Sequence, residues 1–103
     1  MTVKTYLGFD VGTKRTGIAI ANSLTAHASG IETILHNKDG STNWAQIEQS
    51  VSKHQPHKFI VGLPLDNDNK EQEMTFIARS FGRKLEQRFN IEVIFIDEYL
   101  SSS

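Results

Sequence analysis

Cysteine is absent from the 103 residues. No disulfide framework or thiolate metal site is therefore available, and any metal must bind through oxygen or imidazole. Long apolar runs are missing too: the longest, such as Phe59 to Val61 and Val93 to Ile96, are far too short to cross a bilayer. The opening MTVKTYLGFD has one lysine and no extended apolar core, so a signal peptide is not expected. A cytoplasmic protein with no membrane partner is the resulting expectation. Nor is there an excess of basic charge: eleven basic residues against twelve acidic give a net charge of -1. That balance lacks the bulk basicity of many nucleic-acid binders but does not exclude them, because metal ions held by carboxylates carry local positive charge towards phosphate. What is present, an apolar fraction of 38% with nine aromatic residues, is enough for one hydrophobic core and too little for two. A single domain over residues 1–103 is expected.

Strand and helix periods alternate along the chain. Tyr6 to Asp10 reads as a short strand followed by a Val-Gly-Thr-Lys turn, in which Gly12 suits a positive φ. Thr16 to Ala21 and Gly30 to Leu35 read as two further strands of an antiparallel meander. From Ser41 the period changes. Trp44, Ile47 and Val51 fall three and four apart, with Ser41 or Thr42 as cap and Pro56 beyond the end. Lys58 to Leu63 is an unbroken strand-length run of the kind covered on both faces. Met74, Ala78, Phe81, Leu85 and Phe89 form the stripe of a second helix, and Ile91 to Ile96 a fifth strand. The order β-β-β-α-β-α-β predicts an α/β fold, a mixed five-stranded sheet with helices packed on it.

In such sheets functional groups gather at the carboxyl ends of strands, where loops open. Asp10 ends the first strand, Gly62 to Asp66 the fourth, and Asp97-Glu98 the fifth. If the first strand lies beside the fourth and the fourth beside the fifth, Asp10 and Glu98 converge on one cleft. Two carboxylates from separate strands suit Mg²⁺ or Mn²⁺, which favour oxygen ligands and leave positions for water and phosphate. Water would then be the nucleophile of phosphodiester hydrolysis. Taken singly, Asp10 reads more simply as a turn residue and Asp97-Glu98 as a helix cap. Thr13, Lys14 and Arg15 are candidate contacts to nucleic-acid phosphate, although a basic pair in a turn is often merely solvated. His27, His36, His54 and His57 lack metal-ligand spacing and read as surface histidines. Asn67-Asp68-Asn69-Lys70 lacks the glycine and spaced glutamate of a calcium loop and reads as a polar loop.

Phe9 to Ala21 (FDVGTKRTGIAIA), Ile60 to Asp68 (IVGLPLDND) and Ile96 to Ser102 (IDEYLSS) together resemble the YqgF/RuvX family. The resemblance implies an RNase H-like fold and a hydrolase, a nuclease of 16S rRNA 5′-end maturation in ribosome biogenesis or a Holliday junction resolvase. It also implies Asp10 as first catalytic and metal-binding carboxylate and Glu98 as second. Structured RNA or branched DNA would be the nucleic-acid partner, with ribosomal precursor particles and a homodimer as further expected associations. Two departures stand out: Tyr99 where the family usually has Arg, and Asp66-Asn67-Asp68-Asn69 where it has Asn-Met-Asp-Gly. Family members continue through further helices carrying a third acidic residue. A 103-residue form lacking those C-terminal helices is expected to look truncated, to expose one apolar sheet face and to cleave poorly.

Two other readings remain open on the residues. The Asp-Val-Gly-Thr turn also resembles the first phosphate loop of the actin, sugar-kinase and heat-shock chaperone superfamily, which needs two domains around its nucleotide. A non-catalytic RNA- or ribosome-binding module is the second, and Glu98 beside Asp10 argues against it.

Overall fold

Alternation along the first strand decides which side of the sheet becomes the core. In β1, Thr5–Val11, the residues Leu7, Phe9 and Val11 are buried, while Tyr6, Gly8 and Asp10 occupy the opposite phase. The computed structural model describes residues 3–24, 29–65 and 73–99, with the backbone alone for Leu65, Glu98 and Tyr99. His27, residues 66–70 and residues 100–103 lie outside the described residues.

β2, Arg15–Asn22, pairs antiparallel with β1, and β3, Ser29–Leu35, antiparallel with β2. β4, Lys58–Leu65, runs parallel to β1, and β5, Val93–Tyr99, parallel to β4. The five-stranded order is β3-β2-β1-β4-β5, as the meander and crossovers predict. The last two strands run further than their apolar runs suggest. β4 continues through Pro64 and Leu65, and β5 starts at Val93 but extends through Asp97, Glu98 and Tyr99. Ladder hydrogen bonds override side-chain polarity at these ends, so Asp97 and Glu98 lie within a strand.

α1, Trp44–His54, and α2, Glu73–Phe89, cover one face. The cap of α1 is Asn43 and not Ser41 or Thr42: its side chain accepts from the Gln46 N–H at 3.3 Å. Gln55 ends the helix with φ 45°. Across the core, Phe59 is fully buried and meets Phe9 and Phe89 edge-on at centroid distances of 5.7 and 5.8 Å. Phe9 meets Phe81 at 5.3 Å, and Phe81 stacks on Trp44 at 5.4 Å.

Gly82 lets α2 approach β5. A Cβ there would lie 2.5 Å from the Phe95 ring and 3.3 Å from Val93. Gly82→Ala should therefore overpack the interface and cost about 1–3 kcal/mol, the usual range for added core volume, unless the Phe95 ring swings outward. Urea unfolding of the variant with and without Phe95→Leu checks this, because the smaller side chain should recover much of the loss.

A polar clamp fixes α1 to β3. The Glu32 carboxylate accepts from Ser50 Oγ at 2.6 Å and from Gln46 Nε2 at 2.7 Å. The Ser50 bond first and the Gln46 bond second hold its pKa below the usual glutamate value, with burial opposing and Lys53 and His54 assisting. A carboxyl lowered in this way stabilises the fold above its unfolded pKa, and the contribution is lost as pH falls through the folded value. Glu32→Ala should cost about 1–3 kcal/mol at pH 7 because it strands the buried Ser50 hydroxyl. The stability gap between the two proteins should narrow as the solution is acidified through the carboxylate range, and a gap independent of pH would contradict the assignment.

The other sheet face carries no helix among the described residues. It forms an open trough floored by Gly8, Gly17, Ala19 and Gly62, with Ile60 and Ile96 along one side. Ile31, Ile94 and Ile96 are 39%, 37% and 45% exposed. This is the exposed apolar face expected from the sequence.

Candidate active site

Asp10 stands at the carboxyl end of β1, in the phase of the open trough that it helps to line. Its neighbours explain why the carboxylate is accessible. Across β2 it faces Gly17, whose Cβ position would lie 3.9 Å from the Asp10 Cβ. On the other side Phe9 pairs with Val61, so the next level on β4 is Gly62. Two strands therefore offer no side chain to cover the carboxylate. Asp10 is exposed, and among the described residues nothing donates a hydrogen bond to it.

β4 carries the level across to β5, where Gly62 pairs with Ile96, Leu63 with Asp97 and Pro64 with Glu98. Glu98 holds the same strand phase as Ile94 and Ile96, the phase of the open face. Asp97 takes the alternate phase, that of Val93 and Phe95. Strand geometry sets Asp10 and Glu98 roughly 10 Å apart across two strand spacings and roughly 7 Å apart along them. The donor chemistry is hard oxygen, with neither thiolate nor imidazole at this place. The exposed Asp10 carboxylate is a donor of the kind that a divalent cation such as Mg²⁺ or Mn²⁺ takes. Among the described residues no group of three metal-ligating side chains forms.

The turn between β1 and β2 overhangs the same edge. Gly12 is needed there for closeness and not for a positive φ: its N–H donates to the Arg15 carbonyl at 2.9 Å, and a Cβ would lie 2.7 Å from that oxygen. Gly40 is the glycine of positive φ among the described residues. The tight loop leaves Thr13, Lys14 and Arg15 exposed at its tip, on the edge that carries Asp10.

Histidine behaves less simply than its spacing suggests. His36 is half-buried beneath this turn, its Nε2 3.2 Å from the buried Thr16 hydroxyl and its backbone N–H bonded to the Lys14 carbonyl at 3.0 Å. Its Nδ1 is buried without a partner. The surface reading of His36 is therefore corrected; a histidine directly after a strand, level with a buried threonine, was the available signal. His57 is exposed and accepts from the Thr5 N–H at 3.3 Å, and His54 is partly covered at the end of α1. The glycines at 17 and 62, which decide the access to Asp10, were legible only once the register was known.

A mixed sheet of this order with helices on one face is the core of an RNase H-like fold. The sequence matches the family described as "RuvX: Holliday junction resolvase" over residues 4–103, and the chain belongs to that family. A relative from Aeromonas salmonicida, named "Putative pre-16S rRNA nuclease", is 44% identical over the whole chain, which spans 73% of that relative. A relative of the same name from Shewanella oneidensis is 41% identical over the whole chain and 72% of its own length. Among solved structures, Thermus thermophilus RuvC in complex with a Holliday junction substrate aligns with a TM-score of 0.62 at 13% identity, over 91% of this chain and 64% of that one. Archaeoglobus fulgidus Pelota aligns at 0.58 and 11% identity, over 94% of this chain and 28% of that one. At such identities these two likenesses speak to the fold alone. Among the described residues, no helix is long and apolar enough to cross a membrane.

Proposed function

We propose that residues 1–103 act as one nuclease domain that hydrolyses phosphodiester bonds of structured RNA, with 5′-end processing of pre-16S rRNA in the cytoplasm as its task. The observation that carries this reading is the membership of the family, joined to an uncovered carboxylate at the carboxyl edge of the sheet. Asp10 and Glu98 are the catalytic and metal-holding pair. When bound, Mg²⁺ or Mn²⁺ supplies positive charge to the phosphate oxygens and lowers the pKa of the attacking water. Asp10 orients its share of the cation sphere from a rigid strand whose neighbours, Gly17 and Gly62, leave the phosphate room to approach. Lys14 and Arg15, with Thr13, hold the phosphate backbone at the turn above. A homodimer that buried Ile94 and Ile96 on the β5 side would have to leave the Asp10 end of the trough open.

The description of the family favours a second substrate, the four-way DNA junction. The same carboxylates would serve it. The experiment is a cleavage assay with Mg²⁺ or Mn²⁺ on a pre-16S rRNA fragment and on a four-way junction, using the chain and a version extended to the length of its relatives. Cleavage of the RNA at defined positions supports the proposal, selective cleavage of the junction supports the second substrate, and binding without cleavage of either supports a non-catalytic module.

A further inference from the structure

This nearly neutral chain carries basic residues in two places, Lys14 and Arg15 at the turn between β1 and β2 and a longer run on α2. Asp10, Asp97 and Glu98 lie at the carboxyl edge of the sheet, whereas Arg79, Arg83, Lys84 and Arg88 follow one another along α2. The course of α2 is fixed at both ends. The Thr75 hydroxyl donates to the Pro64 carbonyl at the carboxyl edge, and Glu86 Oε2 accepts from the Val93 N–H at 3.1 Å near the opposite edge. At about 1.5 Å per residue, Arg83 to Arg88 lie roughly 12 to 20 Å along the helix from Thr75. Ala78, Phe81 and Leu85 turn inward, so Arg83 and Lys84 stand exposed on the outer side and Arg88, also exposed, on the flank beside Trp44. Glu86, the acid in this stretch, is engaged with β5.

Arg88 is also held in place. Its guanidinium carbon lies 4.4 Å from the centroid of the Trp44 ring, itself stacked on Phe81. Stacking over an indole leaves the edge donors of a guanidinium free and reduces the entropy lost when they bind an anion. Among the described residues none of the three cations forms an ion pair; the salt bridge found there joins Lys58 and Glu92. A cationic cluster of this kind on a nearly neutral protein matches a polyanion.

We propose that the outer face of α2, through Arg83, Lys84 and Arg88, is a docking surface for the phosphate backbone of RNA flanking the cleavage site. The inference rests on the RNA nuclease reading and adds a second contact region outside the active edge. The surface lies too far from Asp10 to touch the scissile phosphate, so it acts on binding and not on the chemical step. Each phosphate contact removed lowers the salt dependence of binding by about 0.7 to 0.9 in the slope of log K against log salt.

The test measures fluorescence anisotropy of a labelled RNA hairpin with a single-stranded 5′ arm against the full chain, over a series of KCl concentrations. The proteins are wild type, Arg83→Gln/Lys84→Gln, the triple variant with Arg88→Gln, and Lys4→Gln/Lys53→Gln as a control for net charge. Circular dichroism and thermal unfolding accompany each, and the double variant keeps the test valid if loss of the Trp44 contact unfolds the triple one. The slope should fall by about 1.4 to 1.8 in the double variant and by about 2.1 to 2.7 in the triple variant, and change little in the control. In the cleavage assay, KM should rise with kcat retained. Wild-type slopes in both α2 variants would overturn the docking surface while leaving the nuclease reading intact. Failure of the wild type to bind the hairpin would overturn both. Tighter binding to a DNA duplex of equal length, lost in the same variants, would overturn the commitment to RNA.

Discussion

Replacing Asp10 by Asn is expected to lower RNA cleavage by at least about 100- to 1,000-fold, the scale on which removal of one charge-stabilising group slows a reaction. The amide keeps the volume of the carboxyl and removes the charge that holds the cation. Because Asp10 is exposed and faces Gly17, it contributes no packing that the variant would lose. Thermal unfolding should therefore be unchanged within experimental scatter. Glu98→Gln should behave alike if the two residues act as one pair, and the double variant should then lose little more than either single one, since members of a catalytic unit are strongly non-additive. Additive losses would mean that the two carboxylates do not share a site. Rates at saturating Mg²⁺ and Mn²⁺, measured on the chain extended to the length of its relatives, decide the matter.

Phe59→Ala is expected to be the most damaging change to the fold. Phe59 is fully buried on β4, between Phe9 of β1 and Phe89 of α2, so its ring ties the sheet to the helix layer. Truncating a buried phenylalanine costs about 3–5 kcal/mol, because the transfer energy is lost and the cavity collapses only in part. That is a large share of the roughly 5–15 kcal/mol that stabilises a typical domain. Equilibrium urea unfolding should show a much lower midpoint at an unchanged slope, and a loss below about 1 kcal/mol would show that the aromatic cluster can close over the gap.

The strand order was legible because two signals agreed. Short turns forced the first three strands into a meander, and the apolar run Lys58 to Leu63, reached through a crossover helix, belonged inside the sheet beside the first strand. The cover that run suggested on both faces is found on one among the described residues, since Ile60 and Gly62 line the open trough. The placing of Asp10 followed, since a strand that ends on Asp before a glycine turn puts that residue at the carboxyl edge. Features that depend on tertiary contact were not legible. Asn43 caps α1 in preference to Ser41, which instead bonds Asp39 through its hydroxyl at 2.6 Å. Gly12 answers to the Arg15 carbonyl and Gly82 to the Phe95 ring, both distances that no local pattern encodes. The phase of Glu32 in its strand turns it to the helix layer, where Ser50 and Gln46 donate to it, a partnership that the sequence alone does not mark. The basic residues along α2 gained meaning only when the fold set them away from the acidic edge.

The most direct test of the account is the metal dependence of cleavage at the site. A 5′-labelled pre-16S rRNA fragment is incubated with the extended protein and with its Asp10→Asn variant, across a titration of Mg²⁺ or Mn²⁺ and in excess EDTA. The account predicts cleavage at defined positions that rises with metal, stops in EDTA and is absent from the folded variant. Cleavage that persists in EDTA, or that the folded Asp10→Asn protein performs at the wild-type rate, would contradict it.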